Sequence, residues 1–415
     1  MNIHKKIFYT VIVFLLFCNI GFLFYYAYLM PLHSDEAGFW FNWTNKSILN
    51  RIFNDNVSGG ITPPWHGLTI YLAKVSIYIF GNTGIGLRSP VIFFGILSSW
   101  LLYIFTKQVI GKKEVGLLAA IFLFQNPFFS HYSHELRGYP SLFFFSLCSY
   151  FCLFKLSQSK NNTRYLVWLF LSFLGCYLSN LASPLFFFTF LATVFIFKAL
   201  QVNSYSRRKF QYLKNLNFQK LLIFSFVSSI VFSYLFFYFD ASYLRVLNGY
   251  YGGQTPNVKA IQDFFSTFMG YKYLDDPHSE IYRYPVYIWL VSLICFLIGV
   301  IRSVRKNDFF AIFYLILLVV TSLFYAFSGS HIHTRSGIFL LPFMIMFQAS
   351  GIVILSNYIV SSFIRRETET NKHYWVLVGF TIIYFLFLHS TNASNIALVC
   401  ISYISGKEIP SLQPL

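Results

Sequence analysis

Pro64-Trp-His-Gly-Leu-Thr-Ile-Tyr-Leu-Ala-Lys-Val-Ser-Ile-Tyr-Ile-Phe80 decides how this chain is laid out. The segment is apolar but short, and Lys74 stands near its middle. Counted as a membrane crossing, it inverts the sidedness of everything that follows. Counted as a juxtamembrane helix with its apolar face in the interface and Lys74 snorkelling to water, it leaves residues 30 to 86 as one outer loop.

Charge settles the choice. Upstream, residues 7 to 29 form an apolar run behind Lys5 and Lys6. The run is longer than the roughly 7 to 15 residues of a secretory signal core and ends Tyr-Leu-Met-Pro, so it reads as an anchor with its N-terminus inside. Downstream, apolar runs recur at 87 to 107, 113 to 130, 139 to 156, 164 to 180, 184 to 200, 220 to 239, 285 to 301, 308 to 327, 337 to 360 and 373 to 390, making eleven candidate spans in all. With 64 to 80 kept outside, 20 of the 31 Lys and Arg fall on the cytoplasmic side, among them Lys107, Lys112, Lys113, Arg302 and Arg305. Ten of the 14 acids then lie outside, leaving Glu114, Asp308, Glu367 and Glu369 within. This is the asymmetry that the positive-inside rule demands.

The whole composition agrees. Over 415 residues, 56% hydrophobic and only 11% charged is far from a soluble domain, where about 25% is charged. The net charge of +17 therefore marks membrane orientation, and no nucleic-acid partner is expected. Six cysteines, at 18, 148, 152, 176, 295 and 400, sit mostly within apolar runs and include no CxxC pair, so they read as apolar packing. The expected fold is an all-α polytopic membrane protein, one domain over 1 to 415. Cytoplasmic loops are short and basic, with no Gly-rich phosphate loop.

Polar chemistry gathers outside, in the loops 30 to 86 and 240 to 284 and in turns near 131 to 138, 181 to 183 and 328 to 336. Seven of ten His fall there. The first loop opens Leu-His-Ser-Asp35-Glu36, two adjacent acids at the end of a span. A carboxylate in that place serves as a general base for a hydroxyl or as a ligand for a divalent cation. It equally suits a helix start over 36 to 51, capped by Ser34 or Asp35. Next come Pro63-Pro64 with His66, then Gly81 to Arg88 leading into the second span. The third span ends at Asn126-Pro127 and gives way to Tyr132-Ser-His134-Glu135-Leu-Arg137-Gly-Tyr139. Glu135 and Arg137 at a bilayer boundary are costly unless paired or solvated, and mutual neutralisation is the simplest structural account.

Taken in order, these pieces resemble the GT-C membrane glycosyltransferases, in the branch of protein O-mannosyltransferases, lipid A aminoarabinose transferases and Rgt-like bacterial transferases. Asp-Glu after span one, Pro-Pro before an interfacial helix, a Gly-bounded loop leading to Arg, and the Tyr-Ser-x-Glu-x-Arg-x-Tyr signature carry the likeness over 30 to 156. Arg335 to Pro342 is the counterpart of a later Arg-Tyr element, with Ser336 in place of the usual Tyr. The resemblance implies a bundle of about eleven transmembrane helices with juxtamembrane helices in the first outer loop. Residues 1 to 200 form its catalytic half, and 201 to 415 add further spans with the outer loop 240 to 284.

It implies, further, a glycosyltransferase that moves a hexosyl or pentosyl group from a polyprenyl-phosphate-linked donor to a lipid-linked glycan, lipid or protein acceptor on the extracytoplasmic face. The setting is a bacterial inner membrane, with the C-terminus outside. Such a donor leaves as a stable phosphate anion, so the demand is for a cation rather than an acid. Arg137 comes first and Arg335 second, with Tyr139 adding a hydrogen bond. Asp35 is the expected base for an inverting attack, Glu36 orients the acceptor or the Arg, and Glu135, His134, Arg88 and His66 support. No cofactor is fixed by the sequence. A divalent metal stays open, including a set of His131, His134, His331 and His333 should the two turns meet. The competing classes are a transporter or flippase of lipid-linked glycans, which would move substrate without a covalent product, and a non-catalytic assembly subunit.

Overall fold

The computed structural model describes residues 3–29, 36, 66–158, 163–180, 183–202, 220, 223–228, 230–231, 286–306, 308–328, 334–363, 373–383 and 385–386. Among them the chain is helical and no strand occurs. In a medium that cannot hydrogen-bond to the backbone, a helix closes every peptide group on itself, and these sequences are apolar on all sides. The helices are α1 (Ile3–Leu29), α2 (Gly67–Phe80), α3 (Gly84–Ile110), α4 (Lys113–Gln125), α5 (Pro127–Tyr132), α6 (Tyr139–Gln158), α7 (Thr163–Ser179) and α8 (Ser183–Val202). They continue as α9 (Val286–Arg305), α10 (Phe309–Ser328), a 3-10 turn Thr334–Leu340, α11 (Leu341–Phe363) and α12 (His373–Ile383).

Five described segments are long and apolar enough to cross a bilayer: Ile3–Leu29, Gly84–Ile110, Tyr139–Gln158, Ile288–Arg305 and Gly337–Ser362. The decisive segment 64 to 80 becomes α2. Its 14 residues rise about 21 Å, short of a hydrocarbon core of about 30 Å. Thr69, Ile70, Ala73 and Ser76 are buried, while Tyr71, Val75, Tyr78, Ile79 and Phe80 are exposed. The buried face rests on α3 and α7.

Two boundaries differ from the sequence reading. The run 113 to 130 is broken: α4 stops at Gln125, and Asn126 accepts Phe129 N–H at 3.1 Å to start the separate α5 at Pro127. Pro lacks the N–H that a continuous helix needs, and its ring suits a first turn. The Gly-bounded loop before Arg88 is also shorter than expected. Gly81 takes a positive φ of 77°, Thr83 caps Gly86 N–H at 3.0 Å, and α3 begins at Gly84, so Arg88 already stands inside the helix.

α3 and α4 are joined by Gly111 and Lys112 alone, with Gly111 in the left-handed conformation returning its N–H to Lys107 O at 3.0 Å. The second half closes on α11, which is buried from Leu341 to Val353 and packs on α9 and α4. There Gly299 faces the Phe347 carbonyl and Gly351 faces the Cys295 carbonyl, two close antiparallel approaches that a side chain would prevent. The 3-10 turn sits against α6, α8 and α10, fixed by Tyr150 Oη donating to Phe339 O at 3.0 Å. At the end of the bundle that holds the chain's first residues, Glu114 of α4 meets Lys5 at 3.0 Å and accepts from Tyr9 at 3.1 Å and Tyr374 at 3.3 Å. One carboxylate thus ties α1, α4 and α12. Among the described residues Cys18, Cys148, Cys152, Cys176 and Cys295 are free thiols, and Cys400 lies outside them.

Candidate active site

At the opposite end of α4, residues 133 to 138 form a tight series of bends between α5 and α6. Leu136 points inward at 0% exposure, packing with Ala73 of α2 and Leu87 of α3. That anchor turns the neighbouring polar residues into a fixed loop. Its backbone N–H donates to Glu36 Oε1 at 2.6 Å.

Glu36 is itself wholly buried and is gripped by Arg88, whose Nε donates to Oε1 at 2.9 Å and Nη2 to Oε2 at 2.5 Å. Arg88 Nη1 donates in turn to Ala27 O, near the end of α1, at 3.1 Å. This is the bidentate fork of a guanidinium on a carboxylate, with a third donor on backbone. Gly84, one turn earlier on α3, lies so near the same Ala27 carbonyl that a Cβ has no room. Four pieces of chain distant in sequence, α1, the first loop, α3 and the 133 to 138 bends, therefore meet at one ion pair.

A second pair lies beside it. Arg137 Nε donates to Glu135 Oε1 at 3.1 Å, and His131 Nε2 stands 3.1 Å from Glu135 Oε2. Both Glu135 and Arg137 are buried at 7% exposure. His66, at the head of α2, turns its Nδ1 to Gly138 N–H at 3.0 Å and to the Asn180 amide at 3.2 Å. Because the backbone N–H can only donate, Nδ1 is the accepting nitrogen and the ring proton is on Nε2. Gly138 is pressed against the Ser179 carbonyl at the end of α7, a contact that no side chain allows. Tyr139 opens α6 with its ring 5.5 Å from His66 and 4.5 Å from Tyr132.

His134 donates Nδ1–H to Ser130 O at 2.8 Å and packs on Tyr26 at 5.5 Å between ring centres. Burial, with His131 and Arg88 nearby, pushes its pKa down to about 3, so the ring is neutral.

Residues 63–238 match the family model described as dolichyl-phosphate-mannose-protein mannosyltransferase. Among solved structures, ArnT from Cupriavidus metallidurans in the apo state aligns over 97% of this chain and 81% of its own, with TM-score 0.57 and 11% identity. The same protein bound to undecaprenyl phosphate aligns over 99% and 82%, with TM-score 0.57 and 12% identity. The chain has the GT-C fold of these membrane proteins. The archaeal oligosaccharyltransferase AglB from Archaeoglobus fulgidus, in complex with an inhibitory peptide and a dolichol-phosphate, aligns over 99% of this chain but only 59% of its own, with TM-score 0.53 and 13% identity. No curated protein matches the sequence. At these identities the solved structures speak for the GT-C fold alone.

Within this GT-C fold, Glu36, Arg88, Glu135 and Arg137 are gathered around the 133 to 138 bends, with His134, His66 and Tyr139 lining the same loop. Asp35 lies outside the described residues, as do the loop 240 to 284 and the pair His331 and His333. Arg335 is on the 3-10 turn that leads into α11, and its side chain is outside the description. Among the described residues no group of three or more His, Cys, Asp or Glu is arranged to hold a metal. The site residues that sequence reasoning missed are backbone groups and one amide: Leu136 N–H, Ala27 O, Ser130 O and Asn180. Backbone donors leave no trace in residue identity. Asn180, an amide at the close of an apolar run, was the readable signal.

Proposed function

We propose that this GT-C protein transfers a hexosyl or pentosyl group from a polyprenyl-phosphate-linked donor to a glycan, lipid or protein acceptor. The reaction runs on the extracytoplasmic face of a bacterial inner membrane, with inversion at the anomeric carbon. The observation that carries the reading is the Glu36 carboxylate taking both Arg88 and Leu136 N–H. Asp35 is one peptide from Glu36, and Arg137 is one peptide from Leu136. The buried contact therefore ties the acid-bearing loop to the arginine-bearing loop. The relatives support the donor class: ArnT was solved with undecaprenyl phosphate and AglB with a dolichol-phosphate.

In this mechanism Asp35 takes the proton of the acceptor hydroxyl as its oxygen attacks the anomeric carbon. The bond to phosphate breaks on the opposite face, and the polyprenyl phosphate leaves with the electron pair. Arg137 and Arg335 stabilise the charge that develops on the phosphate oxygens, in a site screened from water where such contacts count most. Glu135 aims Arg137. Glu36 is a positioning residue, because its oxygens are already committed to Arg88 and Leu136. Residues 1 to 200 supply the reacting groups; 201 to 415, with the outer loop 240 to 284, shape the acceptor side.

The test is transfer by reconstituted protein from undecaprenyl phosphate bearing mannose, glucose or aminoarabinose, with envelope lipids and glycans as acceptors. Asp35→Asn and Arg137→Ala should each lower kcat by 100-fold or more, in the range of a lost general base or charge stabiliser. Unchanged transfer in both variants refutes the assignment. Movement of lipid-linked glycan across vesicles with no covalent product points instead to a transporter.

A further inference from the structure

The bends 133 to 138 lie among donors. Arg88, Arg137 and the N–H groups of Leu136 and Gly138 all point at acceptors, and those acceptors are taken: Glu36 by Arg88 and Leu136, Glu135 by Arg137 and His131, His66 Nδ1 by Gly138. His134 is held differently. Its Nδ1–H is spent on Ser130 O at 2.8 Å, which fixes the tautomer and leaves the lone pair on Nε2. Among the described residues that nitrogen receives no hydrogen bond, although the residue has only 4% exposure and its ring is held between Tyr26 at 5.5 Å and His131 at 5.7 Å. An acceptor held rigidly on a buried residue beside two ion pairs, with no donor among the described residues, is arranged for a donor that arrives with a ligand.

We propose that His134 Nε2 accepts a hydrogen bond from a substrate hydroxyl, making it a binding residue of the transfer site. The inference rests on the glycosyl-transfer reading above. A hydroxyl fits better than an ammonium, because Arg88 close by opposes a second cation. The neutral ring stays an acceptor throughout pH 5 to 8, and so weak a base does not itself remove the proton. The hydroxyl belongs either to the donor's sugar or to the acceptor, and the two sources are separable by which KM responds.

Two variants divide the side chain. His134→Asn keeps an amide N–H in the place of Nδ1, so the link to Ser130 survives while the reach of Nε2 is lost. His134→Gln carries its carbonyl oxygen to the place of Nε2 and gives up the link. If Nε2 binds a hydroxyl, Asn should raise KM about tenfold more than Gln, the loss of one hydrogen bond, with kcat moving less. A rise in the KM of the sugar-lipid places the hydroxyl on the donor, and a rise in the KM of the acceptor places it there. The reverse order, or equal effects, overturns the proposal, since either makes His134 a structural link. A second measurement needs no turnover. In histidine-labelled wild-type protein, the Nε2 resonance of His134 should shift when undecaprenyl phosphate bearing mannose or glucose is added, or when an acceptor that supports transfer is added, but not with bare undecaprenyl phosphate. A shift with the bare carrier, or none with any of them, also overturns it. Should the wild type transfer no sugar from any donor, the transfer reading fails by itself, and the resonance still decides the role of the imidazole.

Discussion

Arg88 and Glu36 show how little freedom a buried charge has once the backbone joins in. Each partner holds more than the other: Glu36 also accepts Leu136 N–H, and Arg88 also donates to Ala27 O. Removing one partner leaves a charge in a dry site, so Glu36→Ala or Arg88→Ala should each cost about 3–5 kcal/mol. The lowered unfolding midpoint in detergent and the smaller folded fraction in membranes would report it. Exchanging the two, Glu36→Arg with Arg88→Glu, should not restore folding. The carboxylate would then face Ala27 O and the guanidinium Leu136 N–H, each the wrong polarity. Recovery by the exchange would show that only their mutual attraction matters. His134 adds a pH dependence of definite sign. Its folded pKa of about 3 lies below the usual value of about 6.5, so the unfolded chain takes up a proton that the folded one refuses. This contribution is complete above pH 6.5 and is lost as pH falls toward 3. Between pH 6.5 and 5, wild type should therefore lose about 2 kcal/mol relative to His134→Gln, visible as converging unfolding midpoints.

Elements in this bundle are placed by what is missing from them. α9 and α11 approach until backbone meets backbone at Gly299 with Phe347 and at Gly351 with Cys295. Small residues permit this closeness where apolar surface alone gives little drive, since lipid is as apolar as leucine. Gly351→Leu should push the two helices apart at a cost of about 1–3 kcal/mol, read as a lower unfolding midpoint. Gly21, which has nothing near it, should tolerate the same change within about 0.5 kcal/mol. α2 is placed by the opposite means. Ala73 and Ile77 meet Leu87 of α3 and Leu136 of the bends, whereas its outward face is Tyr71, Val75, Tyr78, Ile79 and Phe80. That division into faces could be read from sequence, because hydrophobicity around a short helix with one Lys is a local property.

For the molecule as a whole, sidedness is the property that the segment 64 to 80 governs. If α2 stays along the outer interface, Asn82 and Lys112, at opposite ends of α3, face opposite compartments. In a cysteine-free background, a cysteine at Asn82 should react with an impermeant maleimide in intact cells, and one at Lys112 only after permeabilisation. The opposite pattern would invert the topology and move the proposed site to the cytoplasm. The helices that meet at Glu114, from residues 5, 9, 114 and 374, also show the two ends of the described chain closing on one another.

The membrane class and the helical fold were legible from residue order, because both follow from unbroken apolar length and from where Lys and Arg stop it. Glu36, Arg88, Glu135, Arg137 and His66 stand in readable motifs, and the structure brings them together around the bends. Their partners were not legible. That Glu36 holds Arg88, 52 residues on, and that His66 holds Gly138, 72 residues on, depends on α2, α3 and α6 packing side by side. The shortened α4, ended by Asn126 and Pro127, was half legible, since Pro marks a break without saying where the chain turns. Sequence by itself determined which solvent this protein lives in and which side chains are too costly to bury without a purpose. Only the tertiary structure decided which charge answers which, because a buried ion pair is chosen by the backbone groups around it, and those carry no letter in the sequence.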